Sequence, residues 1–133
     1  MQAHVREIMS GHLITARPDD PLVEVAREIS LHAIGAVPIT DEDHRLVGIV
    51  SLTDLVNMLH DGDRLDARLA RDVMSAEPIS IDEFATADEA IGVMRNALLR
   101  HLPVTREGRL VGLVTAADLI NHLLKSYPAP DVA

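Results

Sequence analysis

Apolar positions recur at helical spacing twice along the chain, each time inside the same succession of shorter apolar runs. Leu22, Val25, Ala26 and Ile29 fall at i, i+3, i+4 and i+7, and Ala87, Ala90, Ile91 and Met94 repeat that stripe. Such spacing predicts an amphipathic helix. Pro21 stands near the start of the first helix, where a missing N–H is tolerated. A short apolar strand is expected before each helix, at Leu13–Ala16 and Ile79–Ile81. After each helix comes a strand holding a proline, Ala36–Thr40 and Leu102–Thr105, then a polar turn and a third strand, Leu46–Ser51 and Leu110–Thr115. A last helix closes each succession, Thr53–His60 and Ala116–Lys125.

The two successions are copies. Placing Met9-Ser10 over Met74-Ser75 sets Arg6 on Arg71, Ile14 on Ile79, Glu24 on Glu89, Pro38 on Pro103 and Thr40 on Thr105. One extra residue in the first turn then lays Arg45-Leu-Val-Gly48 on Arg109-Leu-Val-Gly112 and Asp54 on Asp118. The organisation expected is a first repeat over 5–60, a linker over 61–69, a second repeat over 70–126 and a frayed tail over 127–133. A unit this small cannot bury both faces of a sheet by itself. The fold class expected is therefore α/β in the α+β sense. Two pseudo-symmetric repeats, each a three-stranded sheet with flanking helices, would pack sheet against sheet into one module.

Composition narrows the chemistry. Apolar residues make up 47% of the 133 positions, so disorder is excluded, but aromatics are only 2%. The core must be aliphatic, and no aromatic platform exists for stacking the bases of single-stranded nucleic acid. The formal net charge is −9, with one lysine, Lys125, and no basic run, which argues against a nucleic-acid partner. With no cysteine, disulfides, thiolate catalysis and thiolate-bound zinc are excluded. Met1–Met9 does not read as a signal peptide, and no stretch approaches the ~20 apolar residues of a membrane span. A cytoplasmic location away from membranes is the expectation.

One motif could carry chemistry, and it occurs in both repeats: Gly48-Ile-Val-Ser51-Leu-Thr-Asp54 and Gly112-Leu-Val-Thr115-Ala-Ala-Asp118. A strand ends at the hydroxyl residue and a helix begins, with the aspartate three positions on. This pattern is a capping box, in which hydroxyl and carboxylate satisfy the first backbone N–H groups of the helix. It is equally the geometry of an anion site, since a helix N-terminus presents free donors and a positive dipole end to phosphate. The carboxylate could accept both hydroxyls of a ribose. Spacing alone does not choose between the two.

The repeat as a whole resembles the cystathionine-β-synthase (CBS) domain. The resemblance rests on Asp72-Val-Met-Ser75, Ile34-Gly-Ala-Val-Pro-Ile39 and the two Arg-Leu-Val-Gly blocks that run into Asp54 and Asp118, and it covers nearly the whole chain. It implies a stand-alone tandem pair, a Bateman module, acting as a regulator or sensor. Such pairs often dimerise, and many bind AMP, ADP, ATP or S-adenosylmethionine in two clefts between the repeats. Carried over by position, the first cleft would take Ser51, Thr53 and Asp54 with Ile79, Ser80, Arg100 and His101. The second would take Thr115 and Asp118 with Ile14, Thr15, Ile34, Gly35 and Ala36. Arg100 occupies the place that Gly35 has in the other repeat, so the clefts differ. Arg100 either pairs with phosphate or fills the first cleft and blocks it; the second cleft suits entry of an adenosine and the first a longer phosphate chain. The resemblance implies no required cofactor, only the nucleotide as ligand, with magnesium if that ligand is ATP.

Catalytic alternatives find no support. The chain lacks a nucleophile elbow, a P-loop and a dinucleotide fingerprint, and none of its seven histidines forms an H-x-x-x-H pair. The expectation is a protein that is not an enzyme. The last helix of each repeat carries an apolar stripe (Leu55, Val56, Leu59; Leu119, Ile120, Leu123, Leu124) that is either core or a homodimer surface. The competing function is a ligand-free dimerising scaffold that works through an unknown protein partner.

Overall fold

The computed structural model describes residues 3–131. Helix α1 spans Leu22–His32, followed by β1 (Ala36–Thr40), β2 (Leu46–Ser51) and α2 (Leu52–His60). A short α3 (Ala70–Val73) leads into β3 (Ser75–Ala76) and β4 (Ile81–Asp82). Then come α4 (Ala87–Ala97), β5 (His101–Arg106), β6 (Arg109–Thr115) and α5 (Ala116–Leu124). The strands form two three-stranded sheets, β1-β2-β3 and β4-β5-β6, each flanked by helices.

The helices form where the stripes predict. Leu22, Val25 and Ile29 of α1 are buried, as are Ala87, Ala90 and Met94 of α4. Pro21 is the N-cap of α1, and Thr86 caps α4 by accepting the Glu89 N–H at 3.1 Å. In β1 all five residues are buried, and in β5 the buried run is Leu102-Pro103-Val104. A continuous apolar run of this kind belongs to a strand covered on both faces. β2 and β6 alternate instead, with one face partly open.

Two aliphatic cores result, related position by position. Val37, Ile39, Val50 and Leu55 in one correspond to Leu102, Val104, Val114 and Leu119 in the other. Each core is completed by the other half of the chain. Val5, fully buried, lies in the core of the second sheet, and Ala70, also fully buried, lies in the core of the first. The backbone repeats the exchange. Val5 N–H donates to Ala85 O at 2.8 Å, and Ala70 N–H donates to Asp20 O at 2.9 Å. β3 pairs antiparallel with β2, while Ser10 bridges to Leu113 on β6. The halves also join at their hairpin turns, where Leu46 N–H donates to Gly108 O at 3.2 Å and Leu110 N–H to His44 O at 3.0 Å.

The expected strand Leu13–Ala16 is reduced to one parallel bridge, Ala16 to Ile39. Its counterpart, β4, runs parallel to β5, and the next residue, Glu83, extends the pairing by donating its N–H to Thr105 O at 3.0 Å. Pro18 stands at the position equivalent to Glu83 and has no N–H to donate, so the first repeat's ladder stops early. The third strand of the first sheet is instead Ser75–Ala76, borrowed from the second half. Among the described residues no helix is long and apolar enough to cross a membrane.

Candidate functional site

Both motif helices begin in the same way. Ser51 Oγ accepts the Asp54 N–H at 3.1 Å, and Asp54 Oδ2 accepts the Ser51 N–H at 2.9 Å. Thr115 and Asp118 reproduce the pair at 3.1 and 2.9 Å. The next amide of each helix is also engaged. Leu52 N–H donates to Gly35 O at 2.8 Å, and Ala116 N–H donates to Arg100 O at 2.9 Å. Each helix start is thus tied to the residue that leads into the proline-bearing strand of its own repeat.

A cleft of about 920 Å³ opens between the repeats. Ser51, Thr53 and Asp54 form one wall; Ile79, Arg100 and His101 come from the other repeat. Six of the seven residues assigned to the first cleft therefore meet in one space, and Ser80 is not among its walls. Gly35, Ala36 and Thr115, assigned to the second cleft, line this same space. Ile14, Thr15, Ile34 and Asp118 do not. Ile34 instead lines, with Gly35, a neighbouring apolar cavity of about 570 Å³ between α1 and α2.

His101 sits at the centre of the junction. A Cβ on Gly35 would collide with its imidazole Nε2 and Cε1, so any larger residue there would have to displace the ring. Burial pushes the His101 pKa below its usual value, and the neighbouring Arg100 charge adds to the effect. The imidazole is therefore neutral near pH 7. Arg100 itself is exposed at the cleft.

Several wall residues escaped the sequence argument. Glu77 lines the cleft from a left-handed backbone position, φ 50°. Leu98, the C-cap of α4 at φ 55°, also lines it and is 91% exposed. Leu52, 49% exposed, adds apolar surface beside the expected Ile79. Glu77 follows the Met-Ser pair, so its place at the cleft could be read only by knowing that β3 crosses to the other sheet. Among the described residues no group of three or more His, Cys, Asp or Glu side chains could hold a metal ion.

The family model of the CBS domain matches twice, over residues 5–61 and 70–125. An uncharacterized protein of Methanopyrus kandleri is 34% identical over 118 residues, which are 87% of this chain and 60% of that one. The crystal structure of Hypoxic Response Protein I with two coordinated zinc ions superposes with a TM-score of 0.81 at 30% identity, covering 90% of this chain and 98% of that one. The CBS domain pair of protein MJ0100, solved in complex with 5′-methylthioadenosine and S-adenosyl-L-methionine, superposes with a TM-score of 0.84 at 27% identity. That match covers 96% of this chain and 100% of the other.

Proposed function

The chain belongs to the CBS domain family, and from that premise we propose that it is a regulatory module binding an adenine nucleotide or related adenosine ligand between its repeats. The observation that carries this reading is the convergence of Ser51, Thr53 and Asp54 with Ile79, Arg100 and His101 around one cleft of about 920 Å³. A cavity of that size holds a nucleoside-sized ligand with room to spare. The complex of the MJ0100 domain pair with two adenosine compounds supports the same ligand class. In this reading Asp54 Oδ1 accepts from the ribose, Ile79 and Leu52 cover the base, and Arg100 meets the charged end of the ligand.

Ligand bridging the halves gives a means of regulation. A molecule that touches both repeats favours whichever relative orientation it fits better, and a partner can sense that shift. The reading assigns no catalytic residue and no resident cofactor; magnesium would enter only with ATP.

A second reading, the dimerising scaffold, rests on a separate observation. Leu52, Val56 and Leu59 on α2 and Ile120 and Leu124 on α5 are each 49–58% exposed. These faces suit a homodimer. Titration calorimetry with AMP, ATP, 5′-methylthioadenosine and S-adenosylmethionine separates the readings. Saturable heat with any of them, lost in Asp54→Ala, supports the sensor. No heat at millimolar ligand leaves the scaffold.

A further inference from the structure

We propose that the cleft selects adenosine ligands whose 5′ substituent is uncharged or cationic, a thioether or a sulfonium, over nucleoside phosphates. This rests on the adenosine-binding reading above and names the charge class of the ligand.

The charges around the cleft set the preference. Its walls carry two carboxylates, Asp54 and Glu77, against one guanidinium, Arg100. His101, the remaining titratable wall residue, is kept neutral near pH 7 by burial and by Arg100. The whole chain adds a background of −9. A triphosphate entering here would bring several negative charges to a site that is already net negative.

The helix starts do not offset this. Three of the four N-terminal donors of α2 already have partners: Ser51 N–H on Asp54, Leu52 N–H on Gly35 O, and Asp54 N–H on Ser51 Oγ. The start of α5 is occupied in the same way through Thr115, Ala116 and Asp118. A phosphate needs such amides free. Each positive helix end is also answered by the carboxylate of its own capping box.

The same walls suit a sulfur-linked tail. Arg100 can pair with the carboxylate of an amino-acid tail, and Glu77 with its ammonium or with a sulfonium. Leu98, 91% exposed at the rim, offers apolar surface to a methylthio group or its methylene chain.

The test is titration calorimetry on the full chain at one fixed ionic strength with S-adenosylmethionine, 5′-methylthioadenosine, AMP and ATP. The two sulfur compounds should bind at least about tenfold more tightly than ATP, since each exposed charge contributes up to about fivefold. Glu77→Gln should narrow the S-adenosylmethionine-over-ATP preference by about fivefold, and Arg100→Gln should widen the preference for 5′-methylthioadenosine, which has no carboxylate for Arg100 to hold, over ATP. ATP binding as tightly as S-adenosylmethionine, or a preference unmoved by either substitution, overturns the charge assignment while adenosine binding stands. If none of the four ligands binds, the adenosine reading fails and this assignment falls with it.

Discussion

Met74 lies over Gly48 so closely that a Cβ on the glycine would collide with the thioether sulfur and stand 2.9 Å from Cγ. Met9 covers Gly112 in the same manner, with Cγ at 2.8 Å. Each methionine belongs to a lead-in segment that crosses to the other half, so these glycines are where the exchange is seated. Gly48→Ala should destabilise the protein by about 1–3 kcal/mol, the usual range for overpacking. Met74→Ala in the same chain should recover part of the loss, because the two changes share one space. Chemical denaturation of the two single mutants and the double mutant measures that coupling. Strictly additive losses would mean that the glycine serves some purpose other than making room.

Asp54 and Asp118 make equal capping boxes, but only Asp54 lines the 920 Å³ cleft. The pair therefore separates a cap from a ligand contact. Asp54→Ala and Asp118→Ala should each lower stability by about 1 kcal/mol through loss of the cap. Only Asp54→Ala should also weaken ligand binding, by about ten- to a hundredfold, since a hydrogen bond to a charged acceptor contributes about 1.5–3 kcal/mol. Melting curves with and without ligand check both parts. Equal loss of binding in the two variants would remove Asp54 from the ribose.

Much of this was legible in the chain itself. The stripes Leu22-Val25-Ile29 and Ala87-Ala90-Met94 predict both long helices, because burial along a helix leaves its period in the sequence. The duplicated Gly-x-x-Ser/Thr-x-x-Asp motif predicts both capped helix starts. The exchange of Val5 and Ala70 was not legible, since periodicity reports that a residue is buried but not which half buries it. Ser75–Ala76 was not read as a strand for the same reason: two exposed residues carry no apolar signature. Glu77 and Leu98 reach the cleft through left-handed backbone turns, which their residue types do not announce.

His101 offers a check on the cleft's electrostatics. Burial first, and Arg100 second, hold its pKa below 6.5. The unfolded chain then takes up a proton before the folded one does. Stability should decline as the pH falls from about 6.5 through the lower folded value, and level off beneath it. Titration of the imidazole resonances should place the midpoint below 6.5, and Arg100→Gln should move it upward. A midpoint at or above 6.5 would mean that the ring is solvated and does not sit against Gly35 as described.

Among the described residues Glu83 is the one buried acidic side chain, with 1% of its surface exposed, and Arg106 grips it through both Nε and Nη2, the latter at 2.9 Å. Two parallel donors hold a carboxylate in a fixed plane, a geometry that lysine cannot reproduce. The Arg106 guanidinium holds the carboxyl below its usual value near 4.5, against the opposing effect of burial. The sign follows from proton binding: the unfolded chain protonates this group first as the pH drops. The contribution of the pair is therefore complete above about 4.5 and is lost as the pH falls through the lower folded value. Glu83→Gln and Arg106→Lys should both melt below wild type at neutral pH, and the gap should shrink in acid. Arg106→Leu should be the most damaging, because it strips a buried carboxylate of both its side-chain hydrogen bonds and leaves only the more distant charge of Arg6. The first repeat has Pro18 at the equivalent position and so has no such pair. Hydrogen exchange at low pH should accordingly open β4 and β5 before β1 and β2, and the reverse order would show that this ion pair does not hold the second sheet together.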